Sequence, residues 1–221
     1  ISFMNEMACL CDKVGANIDH VRVGIGSDQR IGQKFLFSGI GYGGSCFPKD
    51  IKAMVRIGFE NGHQMRILEA VEAVNVAQKK LLFDRIKAYF KDGLRGKIIA
   101  TWGLSFKPRT DDMRDAPSIE MINALLSVGA VIKAYDPIAM EQARRIWGDL
   151  ITYGTEPYDV LLDADALLIH TEWNEFRTPD LDRVKTLLKE PVIFDGRNLY
   201  NPLDMKDLGF TYFSIGRSST Y

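Results

Sequence analysis

Cys46 closes a glycine-rich run, Gly39-Ile40-Gly41-Tyr42-Gly43-Gly44-Ser45-Cys46-Phe47, and stands directly before Pro48-Lys49-Asp50. Glycines let a backbone come close to a ligand and adopt positive φ. Pro48 suits the first position of a helix, where its missing N–H costs nothing. A thiol at that helix start sits where the macrodipole favours an anion, a setting suited to a nucleophilic thiolate. A lone cysteine is more often a small buried hydrophobe. Here a flexible approach, a helix start and a nearby carboxylate coincide, and the reading shifts to a nucleophile. Asp50 keeps two readings open: an acid capping the first turn, or a partner to a catalytic water or thiol.

The other chemistry-bearing residues carry less. His170 and Glu172 follow an apolar run and read as structural or supporting groups. Cys9 and Cys11 lie two apart on a helix, so they point to different faces and read as core. Three histidines without clustered spacing predict no metal site. Three cysteines make no disulfide framework, so a reducing cytoplasm is expected. Lys and Arg total 28 against 29 acids, which supplies no field toward nucleic acid or membrane. No apolar run approaches the roughly 20 residues that span a bilayer.

Two kinds of patterning position these groups. The first half reads as helical: residues 1–14 stopped by Gly15, a short helix at 19–25, one from Pro48 to Phe59, and a long one from Met65 to Phe90. The long helix, free of Gly and Pro, is expected to bury a stripe of Ile67, Val71, Val74, Leu81 and Ile86. Packing within the chain and a second subunit are both expected to cover it. The second half alternates. Runs at 98–104, 131–135, 166–170, 192–194 and 211–215 read as strands, with helices at 117–128, 139–147, 157–163 and 179–189. That alternation predicts a doubly wound α/β domain with a parallel sheet. The boundary falls near Asp92–Gly96, giving a helical central domain at 1–93 and an α/β domain at 94–221. The first strand ends in Trp102-Gly103-Leu104-Ser105-Phe106-Lys107 without Gly-x-Gly-x-x-Gly, so the usual pyrophosphate cradle is absent. The chain opens without Met, in what reads as the interior of a helix, and a fragment of a longer protein is expected.

Four blocks, in order, carry a resemblance over essentially the whole chain. They are Arg30-Ile31-Gly32-Gln33-Lys34-Phe35-Leu36 through Gly41 to Asp50; Gly103-Leu104-Ser105-Phe106-Lys107-Pro108 with Asp111, Asp112, Arg114 and Ser118; Tyr135-Asp136-Pro137; and His170-Thr171-Glu172-Trp173 with Phe194-Asp195-Gly196-Arg197. They resemble the UDP-glucose/GDP-mannose dehydrogenase family. Phe47 after the cysteine favours its UDP-glucose branch over the GDP-mannose branch, which usually carries Leu there.

The resemblance implies oxidation of a sugar C6 alcohol to a carboxylate with two NAD+, through a cysteine thiohemiacetal and a thioester. Cys46 would be the nucleophile, and Asp50 would assist proton movements and the hydrolytic water. Phe37, Gly39, Gly41, Tyr42 and Gly43 would wrap the substrate. Arg30 would reach the substrate of a neighbouring subunit in a homodimer built on helix 65–90. Phe106, Lys107 and Arg197 would hold the UDP-sugar, and Arg114 would touch NAD. It also implies that the NAD domain and a catalytic lysine and asparagine precede Ile1, so this stretch alone is expected to be inactive. The competing readings are a GDP-mannose 6-dehydrogenase fragment, a non-catalytic dimerisation and nucleotide-binding module, and a cysteine hydrolase. The last needs a histidine base, and neither His20 nor His63 has spacing that singles it out.

Overall fold

The computed structural model describes residues 1–219. Helix α1 (Ser2–Val14) ends where Gly15 takes the left-handed conformation at φ 70°, as a C-terminal glycine can without strain. Asn17 caps α2 (Ile18–Gly26) by accepting from Asp19 N at 2.8 Å. The glycine loop follows. Helix α3 (Phe47–Glu60) then starts at Cys46, with Pro48 in its first turn. Helix α4 (Arg66–Tyr89) runs unbroken for 24 residues, about 36 Å at 1.5 Å per residue.

Helix α4 corrects one expectation. Its buried face is Asn75, Gln78, Lys79, Leu82 and Ile86. Ile67 is 79% exposed, and Val71, Val74 and Leu81 are only half-buried. Leu82 and Ile86 pack inward, each contributing about 1.5–3 kcal/mol. Asn75 and Gln78 are inside because the glycine loop's backbone needs partners there, and Lys79 because it pairs with Glu120.

The sheet comprises β1 (Ile98–Trp102), β2 (Val131–Tyr135), β3 (Thr152–Tyr153), β4 (Ala166–Ile169), β5 (Val192–Asp195) and β6 (Thr211–Phe213). All pairings are parallel, in the order β3-β2-β1-β4-β5-β6. The helices between them are α5 (Pro117–Ser127), α6 (Met140–Trp147), α7 (Asn174–Arg177), α8 (Leu181–Leu187) and α9 (Pro202–Asp207). Alternate strand residues enter two cores. Ile99, Ile132, Leu168 and Phe194 face α5 and α6 and share their core with Met4 and Ala8 of α1 and Leu82 and Ile86 of α4. Ala100, Leu167, Ile169 and Ile193 face α8 and α9. The chain is thus an α/β fold with a helical segment packed on one face of a doubly wound parallel sheet.

Several bounds shift. Residues 157–163 form only a 3-10 turn at Asp159–Leu161. The helix expected at 179–189 is confined to Leu181–Leu187. Strand β3 and helices α7 and α9 went unread, being two to six residues long, too short for a period to declare itself. No helix among the described residues is long and apolar enough to cross a membrane, and none of their His, Cys, Asp and Glu clusters could hold a metal.

Candidate active site

Side chains from α1 and α4 hold the glycine loop's backbone. Gly39 N donates to Asn5 Oδ1 at 2.9 Å, and Gln78 Nε2 donates to Gly39 O at 2.6 Å. Asn75 binds Tyr42 at both ends, accepting from its N–H at 2.9 Å and donating to its C=O at 3.2 Å. A buried backbone group without a partner is costly, and an amide side chain supplies one donor and one acceptor in fixed geometry. This explains polar residues on the inner face of α4. Beside them the buried Lys79 ties α4 to α5 through Glu120 at 2.8 Å.

The other side of the loop rests on the sheet segment. Ile40 N donates to Gly196 O at 3.1 Å and Gly44 N to Arg114 O at 2.7 Å. A Cβ on Gly43 would lie 2.3 Å from the Asp115 carbonyl oxygen, and one on Gly44 would lie 2.9 Å from the Phe106 ring. The glycines are therefore needed for close approach to 106–116. Arg197 crosses the junction, with Nε donating to His170 O at 2.6 Å, Nη1 to Gly41 O at 3.2 Å and Nη2 to Phe106 O at 3.4 Å. Glu172 pairs with it at 3.4 Å.

Cys46 is exposed at the start of α3, 3.6 Å from Ser45 Oγ. Asp50 lies one turn on, its N–H bonded to Cys46 O at 2.8 Å, so thiol and carboxylate share a helix face. Arg114 forks onto Asp112 at 2.9 Å through both Nε and Nη2, and this holds the Asp112 carboxyl below the usual carboxylate range. Its charge also falls within reach of Cys46. Lys107 lies over the Phe106 ring at 5.2 Å. Burial, then Glu72, pushes the Tyr42 phenol up to about 12, so it stays neutral at physiological pH.

Loop residues 39–46, Phe106, Lys107, Arg114 and Arg197 thus come together. Arg30 and Phe37 do not join them within the chain: Arg30 is exposed and paired with Asp28 at 2.6 Å, and Phe37 is stacked by Arg22 at 4.7 Å. The residues missed in the sequence are Asn5, Asn75 and Gln78. They are polar helix positions whose inward direction no periodicity in the sequence declares.

The β1/β4 crevice, where strand order reverses and α/β folds commonly hold ligands, is occupied by the chain itself. Leu104 N and Ser105 N donate to Asp136 Oδ2 at 2.7 and 3.2 Å, and Thr171 Oγ1 donates to Ser105 O. No backbone N–H of Leu104 or Ser105 is left for a pyrophosphate, so the residues present do not fit NAD in this crevice.

His170 lies beneath that crevice, and neither ring nitrogen has a hydrogen-bond partner among the described residues. Burial, with Arg197 beside it, pulls its pKa from 6.5 down to about 3. Between those values the unfolded chain binds a proton that the folded chain refuses, so stability is lost as pH falls below 6.5. Acidifying to pH 5 should cost about 2 kcal/mol. His170→Leu should flatten the fall in thermal midpoint over that range; an unchanged slope would mean that His170 does not set it.

Comparisons with known proteins converge. The central-domain description of the UDP-glucose/GDP-mannose dehydrogenase family matches residues 1–77, and its UDP-binding-domain description matches 100–202. The chain is 46% identical over 222 residues to a UDP-glucose 6-dehydrogenase of Pseudomonas aeruginosa, covering 98% of this chain and 49% of that protein. It is 48% identical over 217 residues to the UDP-glucose 6-dehydrogenase of Rhizobium meliloti, covering 98% and 49%. A solved UDP-glucose dehydrogenase from Pyrobaculum islandicum superposes with a TM-score of 0.87 at 34% identity, covering 99% of this chain and 48% of that one. The chain spans about half the length of the relatives it matches. With two domains matched in order and the fold shared, the chain belongs to the UDP-glucose/GDP-mannose dehydrogenase family.

Proposed function

We propose that this chain is the central and C-terminal part of a UDP-glucose 6-dehydrogenase, which converts UDP-glucose to UDP-glucuronate with two NAD+. Residues 1–93 serve as the dimerisation domain and residues 94–221 as the UDP-sugar-binding domain. The observation that carries the reading is the junction at Arg197, where the loop bearing Cys46 and the Phe106–Lys107 segment meet around one guanidinium. Lys107 offers a diphosphate a point charge, and the Arg197 guanidinium has two N–H bonds beyond the three given to His170 O, Gly41 O and Phe106 O.

NAD would supply the hydride acceptor for C6, and Arg114 is the residue of this chain that would contact it. The chain's own part is covalent. An aldehyde does not readily lose a second hydride until something adds to its carbonyl. The Cys46 thiolate adds to carbon and gives a thiohemiacetal, whose oxidation leaves a thioester. Water then attacks that thioester, the carboxylate leaves with its new oxygen, and the thiol is regenerated. Asp50, on the same helix face, takes the proton from the attacking water.

Two copies pair through α4 and α1, whose outer faces expose Ile67, Val76, Phe3 and Leu10. Arg30, held among the described residues by Asp28, completes the partner's substrate site.

Calorimetric titration with UDP, UDP-glucose and GDP-mannose tests the assignment. UDP ligands should bind selectively, and Lys107→Ala should weaken them about tenfold, the scale of one charge-assisted contact. A preference for GDP-mannose would move the chain to the other branch of the family. Indifference to Lys107→Ala would remove that residue from the site.

A further inference from the structure

Arg197 is aimed by its own turn, and that turn is fastened from below. Asp195, fully buried at the end of β5, accepts from Arg197 N through Oδ1 at 2.8 Å. Its Oδ2 accepts from Leu199 N at 2.6 Å and from the Tyr212 hydroxyl at 2.7 Å. Tyr212 is fully buried on β6, and burial together with Asp195 raises its phenol, so it remains a donor. The same hydroxyl accepts from Arg217 Nη2 at 3.1 Å.

Arg217 is itself 5% exposed. Its Nε donates to Ser214 Oγ at 3.2 Å, and its Nη1 reaches Asp19, on the first turn of α2, at 3.4 Å. Asn198, with a positive φ of 57°, completes the attachment. It donates to Ile215 O at 2.8 Å and to Ser38 Oγ at 3.2 Å, and accepts from Ile215 N at 2.8 Å. The turn is therefore held underneath by residues 212–217 and presents Arg197 above to Gly41 and Phe106.

A carboxylate, a phenol and a guanidinium in series are a costly way to fill a core. Apolar packing would give comparable stability, and such a network is favourable only when complete. Its members also hold Leu199, Tyr200, Ser214 and Asp19, and one continuous path through them, Arg217 to Tyr212 to Asp195, ends at the Arg197 backbone N–H. We infer that Arg217, acting through Tyr212 and Asp195, positions the Arg197 guanidinium for the diphosphate of a nucleotide sugar. Arg217 is a positioning residue, lying 20 positions after the group it aims and meeting it only through the buried chain. The inference rests on the nucleotide-sugar reading above for what Arg197 binds, but not for how Arg197 is held.

The Nε–H resonance of Arg197, identified by its loss in Arg197→Lys, reads the orientation directly without ligand. Tyr212→Phe and Arg217→Lys are each expected to shift this resonance and to speed its exchange with water about tenfold. Each should also raise the UDP dissociation constant about tenfold, the size expected when a buried hydrogen bond is lost. A purely structural role would lower the thermal midpoint and leave the resonance in place, and that outcome overturns the inference. A resonance that moves in Tyr212→Phe but not in Arg217→Lys removes Arg217 from the chain of effect and overturns its assignment. If the unsubstituted chain fails to bind UDP, the nucleotide-sugar reading falls, and the resonance alone still decides whether Arg217 positions Arg197.

Discussion

Cys46→Ser is expected to cut formation of the sugar carboxylate by on the order of 10⁴-fold or more in the complete enzyme, the scale of losing a covalent nucleophile. Serine keeps the shape but not the nucleophile, because a hydroxyl is far less acidic than a thiol, stays protonated and adds weakly to the aldehyde. The substitution is clean because Cys46 is exposed and, among the described residues, its side chain pairs with Ser45 Oγ at 3.6 Å and with no histidine. Stability should therefore change by less than about 0.5 kcal/mol, and UDP affinity should hold. The measurement is steady-state NADH production with UDP-glucose, beside a UDP titration of the same sample. Turnover within tenfold of the unsubstituted enzyme would sink the covalent mechanism. Loss of UDP affinity would show that the thiol has a structural part that its exposure does not reveal.

Gly43→Ala should also be damaging, for a different reason. A methyl group there would sit 2.3 Å from Asp115 O, 2.7 Å from Asp115 C and 2.9 Å from Ala116 Cα. All three are backbone atoms, and they cannot step aside as a flexible side chain can. The loop must lift away from 114–116, which breaks the Gly44 N to Arg114 O bond of 2.7 Å and displaces Cys46 just beyond it. Misplacing a reacting group by about 1 Å costs about 10²-fold, so kcat should fall at least that far. Gly24→Ala is the matched control: nothing lies within 4 Å of where its methyl group would sit, and in the last turn of α2 the change should be neutral or stabilising by up to about 1 kcal/mol. Equal activity in the two variants would show that the loop's contact with 114–116 does not place the thiol.

The cysteine-bearing glycine loop was legible in the sequence because its features are local: glycines, a thiol, a proline and an acid stand within one short stretch. The strands from Ile98 to Phe213 other than β3 were legible because apolar runs bounded by turns leave few other readings. The support of the loop was not. Asn75 and Gln78 read as the polar face of an amphipathic helix, and only the position of Tyr42 and Gly39 in space shows that they face inward. Long-range pairing of a side chain with a backbone carbonyl leaves no periodic trace. The same holds for Asp136, whose neighbours in sequence mark a turn but whose carboxylate fills the crevice 32 residues earlier in the chain. Arg197 could be marked as a cation past a strand end, but not as a bridge to Gly41.

That bridge joins residues 156 positions apart. A ribosome adds about 5–20 residues per second, so Gly41 waits roughly 8–30 s for the residue that holds its carbonyl. During that interval α1 and α3 can already form, with the thiol at the start of α3 in a loop that lacks its far wall. The loop's geometry is thus completed by a segment made well after it, and a polypeptide cut short before Arg197 would carry the Cys46 thiol without that contact.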